Sequence, residues 1–310
     1  MNIDLHCHTT ASDGVLPPRQ LVREARRKGL ALLSVTDHDT TAGLEEALDE
    51  GRRVGLQVIP GVEVTASAGD LEIHLLGHFI DPSDARFAAF LERSQAARID
   101  RLRKMIARLA DLGIQVDMEE VLAVGAEGSV GRPHLAQVLV KHGYVKGISE
   151  AFDRYLKQGA SAFVERPHLP AEEAMERIKQ SGGFPTLAHP GLYNGDRVIK
   201  SLAGKGLVGL EVYHPDHTPS QIAHYRRLSE ELGLLATGGS DYHGFSGLHL
   251  KELGVSYLRE EDRRRLWDQA VRLCRLKGLD LQEIPVSPNP VVEGSNVQDL
   301  SASNPSVKRG

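Results

Sequence analysis

Apolar and polar positions alternate at the start of the chain, with Ile3, Leu5 and Cys7 set against Asp4, His6 and His8. A period of two predicts a strand with one apolar face and one face on which His6 and His8 point the same way. Thr9, Ser12, Asp13 and Gly14 end the alternation, so both histidines fall at the C-terminal lip of that strand and Asp13 on the loop beyond it. Pro17 and Pro18 open a helix predicted over 19–28, with Leu21, Val22 and Ala25 inward and Gly29 as its stop. The unbroken apolar run 30–35 reads as a strand buried on both faces, as in parallel sheets. It ends in Thr36-Asp37-His38-Asp39. A helix over 43–51, a strand over 57–62 ending at Glu63, and a strand over 71–80 carrying His74 and His78 follow.

Residues 84–112 form a long predicted helix in which Ile99, Leu102, Ile106 and Leu109 recur at threes and fours. Arg93, Arg98, Arg101, Arg103, Lys104 and Arg108 lie off that stripe and read as a solvated basic face. From 113 to 165 the strand–helix rhythm stops. Short helices are predicted over 116–124, 132–142 and 149–157. The rhythm resumes with a helix over 171–181, a strand over 184–188 ending in His189, and a strand over 207–212 ending in Tyr213-His214. A helix over 221–232, a strand over 234–237 ending in Ser240-Asp241-Tyr242-His243, and a helix over 260–276 complete it. The Pro-, Ser- and Asn-rich stretch 285–310 has no periodicity and reads as a disordered tail. Strand, polar lip, helix, strand is the order of an α/β barrel or doubly wound sheet. The expected division is a barrel over 1–98 and 166–284 interrupted by a helical insertion over 99–165.

Composition narrows the class. A chain of 310 residues has room for one large domain with an insertion. No run approaches the roughly 20 apolar residues that cross a bilayer, so no membrane association is expected. Two cysteines far apart, Cys7 and Cys274, and no leader pattern point to the cytoplasm. A formal net charge of -5 argues against a protein that coats nucleic acid at large, though not against a local basic groove. The 14 histidines are unusual, and many stand just beyond apolar runs.

His6, His8, Asp13, His38, Glu63, His74, His189, Asp241 and His243 all fall at or near predicted strand ends. In a parallel barrel those ends share one face, where active sites are built. Any one of the nine alone is as readily a packed or surface residue; nine together point to metal. Imidazole mixed with carboxylate suits Mn, Zn or Fe. Nine exceed what one tetrahedral ion takes and suffice for two or three.

Asp4-Leu-His-Cys-His, Thr36-Asp-His-Asp, Gly61-Val-Glu, His189-Pro and Ser240-Asp-Tyr-His resemble the successive motifs of the polymerase and histidinol phosphatase (PHP) family, in order, across roughly residues 1–280. The resemblance implies a distorted seven-stranded (β/α) barrel with a trinuclear metal site, manganese foremost. His6, His8, Glu63 and Asp241 would hold one ion and carry the catalytic function. Glu63 would bridge to a second ion on His74 and His189, and Asp13, His38 and His243 would take a third. Some members have His where this chain has Asp13. Asp4, Asp37 and Asp39 are placed to orient the ligand histidines.

Gly131-Arg-Pro-His-Leu-Ala, in the insertion, resembles the subgroup of nucleoside 3',5'-bisphosphate phosphatases and 5'-to-3' exoribonucleases. A nucleotide or short oligonucleotide is then the expected substrate. Arg132 beside a Pro-initiated helix offers a forked donor to phosphate; on its own it reads equally as a surface arginine. His134 and Lys157, with Arg166, Tyr213, His214 and His217, are further candidates for substrate contact. His217 is also a candidate proton donor to the leaving alkoxide, with a metal-bound water as the alternative. The expected reaction is metal-assisted hydrolysis of a phosphate ester, releasing phosphate from a nucleoside bisphosphate. A histidinol-phosphatase-like phosphomonoesterase and a non-catalytic metal-binding scaffold are the rival readings.

Overall fold

The computed structural model describes residues 2–125, 128–193, 195–244, 252–255 and 257–278, so the tail expected over 285–310 lies outside the described residues. Its elements run β1 (Asn2–Cys7), α1 (Pro18–Arg27), β2 (Leu30–Val35), α2 (Leu44–Val54), β3 (Gln57–Ala68), β4 (Leu71–His78) and α3 (Ala85–Asp111). They continue with α4 (Met118–Val124), α5 (Arg132–Lys141), α6 (Ile148–Ala151), α7 (Ala171–Gln180) and β5 (Phe184–Leu187). The last are α8 (Asp196–Ala203), β6 (Gly209–Tyr213), α9 (Pro219–Leu232), β7 (Leu235–Gly238) and α10 (Glu260–Arg275).

The seven strands pair in chain order. β1–β2–β3 and β5–β6–β7 are parallel, while β4 is antiparallel to both neighbours. The ring closes through the segment after β7, where Asp241 N–H donates to the His6 carbonyl (2.8 Å) and His8 N–H to that of Tyr242 (2.9 Å). Closure needs a glycine: a Cβ at Gly239 would stand 2.4 Å from His6 Cβ. Helices α1, α2, α7, α9 and α10 pack outside. Ile3, Leu33, Ile59, Val62, Leu75, Leu187 and Leu210 fill one continuous core with them.

β3 differs from the sequence expectation. It runs to Ala68 rather than stopping at Val62, so that its second half and β4 form a hairpin turned at Gly69 and Asp70. With β4 antiparallel to β3, His74 stands mid-strand opposite Thr65 and diagonally across from Glu63, which pairs with Leu76. Alternation alone is blind to strand direction.

A second buried cluster, built around Leu102, Met105, Leu109, Val121, Leu135, Leu139 and Leu156, lies apart from the first. α3 serves both: Phe87, Phe90 and Leu91 pack into the barrel core, and its later turns into the second cluster. The helix continues unbroken through residue 99, where the boundary was expected. Asp84 caps its start by accepting from the backbone N–H groups of Arg86 and Phe87.

Candidate metal centre

The exits of β1, β2, β5 and β7, with the middle of the β3–β4 hairpin, set nine side chains around one point. Glu63 is the hub. Its Oε2 stands 3.3 Å from His6 Nε2, 3.2 Å from His8 Nε2 and 3.1 Å from His38 Nδ1; its Oε1 stands 2.7 Å from His74 Nδ1 and 3.2 Å from His189 Nε2. Asp241 Oδ1 is 3.3 Å from His6 Nε2 and 3.2 Å from His8 Nε2. Asp13 reaches His243 Nε2 at 3.3 Å and His8 Nδ1 at 3.7 Å, with His38 Nε2 3.9 Å away. Three groups of donor atoms emerge: His6, His8, Glu63 and Asp241; His38, Glu63 and His74; and His8, Asp13, His38 and His243. His189 joins the second group through Glu63, so all nine expected residues come together.

The residues fit a set of divalent ions. Donors 2.0–2.1 Å from a common ion in tetrahedral array stand about 3.3 Å apart, which is the spacing of the first group. Asp13 Oδ1, His38 Nδ1 and Glu63 Oε2 are buried with no hydrogen-bond partner, a costly arrangement unless a cation satisfies it. Charge points the same way. Burial alone would depress His8, but the carboxylates of Asp241 and Glu63 outweigh it and push its pKa up to about 10, so the site draws positive charge from whatever can supply it. Burial likewise disfavours a charged Glu63, yet His38, His74 and His6 together hold its carboxyl well below the usual range. Asp39, His189 and Asp241 adopt positive φ (50°, 30° and 50°), a strained conformation that clusters at functional sites.

The carboxylate that orients His6 is one the sequence reading missed. Glu211, fully buried on β6, accepts from His6 Nδ1 at 3.0 Å and from the His189 backbone N–H at 2.8 Å. Burial raises a carboxyl, but His6 outweighs it and Glu211 settles at about 2. Held ionised, it accepts a hydrogen bond from the His6 Nδ1–H, the arrangement that leaves Nε2 facing the cluster. A lone acid in the apolar run 207–212 was the available signal. Asp4, Asp37 and Asp39 do other work. Asp4 accepts from Ser240, Gly254 and the His6 backbone; Asp37 from Thr9 and Ser12; Asp39 from Arg98 and Arg166. Glu211→Gln is expected to lower metal affinity or turnover roughly 10- to 100-fold with the fold intact. Metal titration of both proteins checks it, and equal affinity and rate would remove Glu211 from the site.

Beside the cluster lies a basic wall. Arg98 Nε donates to Asp39 Oδ2 at 2.5 Å and Arg166 Nη2 to the same oxygen at 3.0 Å. Arg132 and Arg101 pair with opposite oxygens of Glu72 at 2.8 and 3.0 Å. Arg98 and Arg101 are therefore not on a solvated face, as their place in the helix suggested. Leu91, Ser94, Arg98, Arg101 and Met105 recur at threes and fours, a second inward stripe that carries both arginines into the site. All four guanidiniums line one pocket of about 260 Å³ with Asp13, Glu63, His189 and Asp241.

Three substrate candidates fall elsewhere. Tyr213 is fully buried and lines a separate cavity with Arg226 and Arg265 behind the sheet, because the register shift after Glu211 turns it outward. Lys157 is exposed and paired with Asp153. His217 uses both ring nitrogens, Nδ1 toward the Val212 carbonyl at 2.9 Å and Nε2 accepting from Gly191 N–H at 3.1 Å. Burial pushes it down to about 4, which favours the neutral imidazole, and its one N–H is held by the Val212 carbonyl. His134 is a positioning residue: Nδ1 accepts from Gly131 N–H and Nε2 meets the Ser12 carbonyl, tying α5 to the loop of Asp13. His214 Nε2 lies 3.4 Å from Asp241 Oδ2.

A family model of the PHP domain matches residues 4–165. The chain belongs to the PHP family. A 5'-3' exoribonuclease of Haemophilus influenzae is 36% identical over 77% of this chain and 89% of its own length. A 3',5'-nucleoside bisphosphate phosphatase of Chromobacterium violaceum is 34% identical over 78% and 87%. A phosphoribosyl 1,2-cyclic phosphate 1,2-diphosphodiesterase of Eggerthella lenta is 35% identical over 79% and 95%. The crystal structure of a presumed metal-dependent phosphoesterase from Bifidobacterium adolescentis superposes with a TM-score of 0.75 at 33% identity, covering 86% of this chain and 96% of that one. The PHP chain described here is a metal-dependent phosphoesterase with the barrel of that family.

Proposed function

We propose that this PHP enzyme removes the 3'-phosphate from nucleoside 3',5'-bisphosphates, leaving a nucleoside 5'-monophosphate. One observation carries the reading: four arginines line the pocket that holds the cluster, and they pair with only two carboxylates, Glu72 in the pocket wall and Asp39 buried behind it. With Asp13, Glu63 and Asp241 turned to the imidazoles of the cluster, four guanidiniums share two carboxylates beside it, which suits a substrate with a second phosphate. Arg132 and Arg166 would fork onto that second phosphate and fix the ester over the cluster. Arg98 would add charge against the phosphoryl oxygens as they gain negative charge. His6, His8, Glu63 and Asp241 would hold the first of two or three ions, His74 and His189 with Glu63 the second, and Asp13, His38 and His243 the third; manganese, zinc or iron fits these donors. Bound there, the ions supply a hydroxide near neutral pH and polarise the phosphoryl group. Glu211 keeps His6 in the tautomer the site needs, and Asp39 keeps Arg98 and Arg166 spread.

A second substrate, the 5'-phosphorylated end of a short RNA, uses the same two anion positions, and relatives named exoribonucleases support it. We read 99–165 as an insertion domain on the strength of its own buried cluster, and place the protein in the cytoplasm on its two free buried cysteines. No described helix is long and apolar enough to cross a membrane.

The test is hydrolysis by metal-stripped protein with Mn²⁺, Zn²⁺ or Fe²⁺ added back. Adenosine 3',5'-bisphosphate should yield adenosine 5'-monophosphate and phosphate, in preference to histidinol phosphate and to a phosphoribosyl cyclic phosphate. Preference for either of the last two, or turnover that survives exhaustive chelation, overturns the reading.

A further inference from the structure

A second cavity of about 230 Å³ opens beside the first and shares Glu72, Arg132 and Arg166 with it. Its outer wall is the strap of residues 158–169 that returns from the insertion to the barrel. The strap is fastened rather than loose: Ser67 N–H and Oγ both donate to the Leu169 carbonyl (2.8 and 2.9 Å), and Arg101 Nε donates to that of Val164 (2.7 Å). Phe163, Pro167 and Leu169 give this wall an apolar surface. Arg101 lies over the Phe163 ring, 5.2 Å from its centroid, and the half-buried ring lines the cavity.

Three features narrow the occupant. The volume falls below the roughly 300–1,000 Å³ that takes a whole drug-sized ligand, so the cavity suits one ring system of a molecule anchored elsewhere. Asp70 and Glu165 line it without an ion-pair partner among the described residues. A further phosphate would meet those carboxylates; an uncharged ring would not. Gln158 makes no hydrogen bond among the described residues, and its amide can turn either donor or acceptor to a ring edge.

We propose that this cavity is the nucleobase subsite, in which the base stacks on Phe163 against Pro167 and Leu169 and meets Gln158 at its edge. The proposal rests on the nucleotide reading above. Recognition by stacking with one adaptable amide accepts any base, because every base has a π-face. Arg132 and Arg166, common to both cavities, then sit where the phosphate and the base of one nucleotide diverge.

The experiment compares kcat/KM for adenosine 3',5'-bisphosphate with that for the abasic tetrahydrofuran 3',5'-bisphosphate, in the wild type and in Phe163→Ala, with metal present. The wild type should prefer the nucleotide, and Phe163→Ala should shrink that preference roughly 5- to 150-fold, the usual worth of one stacked base. Phe163→Trp should restore it, which separates stacking from a mere loss of packing around Arg101. Equal rates on the two substrates in the wild type, or a preference that Phe163→Ala leaves unchanged, overturns the subsite while leaving the bisphosphatase reading standing. Turnover of neither substrate overturns that reading, and the subsite with it.

Discussion

Glu63→Gln is expected to lower kcat/KM at least 10³-fold and to leave protein that retains less metal after purification. Glu63 alone touches five imidazoles, with its two oxygens serving different groups of donors. The amide keeps the volume but removes a charge and aims an N–H₂ at ring nitrogens that need an acceptor or an ion. Losing one preorganised electrostatic contact costs roughly 10²–10³ in rate, and a carboxylate common to two donor groups would be lost together with part of the metal binding. The fold should persist, because the local backbone is held independently by Glu63 N–H to the Asp37 carbonyl and Asp39 N–H to the Glu63 carbonyl. Elemental analysis, steady-state rates and a thermal melt on the same preparation make the check. A variant with full metal content and turnover within tenfold of wild type would show that the cluster is organised around something else.

Asp39→Asn is expected to be the more damaging change to stability. Asp39 is fully buried, and one of its oxygens receives both Arg98 and Arg166. Burial works against its ionised form, but the two guanidiniums outweigh that and hold its carboxyl far below the usual range. Removing the charge leaves two buried cations facing each other, and breaking a buried ion pair from one side costs about 3–5 kcal/mol. Asn keeps the positive φ at this position without added strain and can still accept one hydrogen bond, so about 3 kcal/mol is expected. At about 2.1 cal/mol/K of unfolding entropy per residue, that corresponds in a chain of this size to a fall in Tm of roughly 5 °C. Added phosphate should recover part of the loss, since an anion bound between the arginines supplies the missing counter-charge. An unchanged Tm, or a loss that phosphate does not touch, would mean that Asp39 does not govern this wall.

The two variants separate the halves of the pocket. On the proposed reading Glu63 would serve the metal-binding half, its loss read in metal content, and Asp39 the anion-binding half, its loss read in stability and phosphate response. Glu211 stands behind the first as Asp39 stands behind the second: each is a buried acid that fixes the direction of groups lining the pocket.

Local spacing made much of this protein legible. His6 and His8 at i and i+2 had to share a strand face, and the apolar runs 30–35, 184–188 and 234–237 had to be strands that delivered His38, His189, Asp241 and His243 to one rim, because strand period and barrel closure leave few other arrangements. Spacing along the chain thus settles which residue types meet and in what order the elements bring them. Tertiary structure alone decided the rest. β4 runs backwards, so His74 reaches Glu63 from mid-strand; Arg98 and Arg101 turn inward; a register shift sends Tyr213 behind the sheet; and His217 spends both ring nitrogens on backbone 5 and 26 residues away. Strand direction and hydrogen-bond partner are set by contacts distant in sequence, and a residue's spacing from its neighbours carries no record of them.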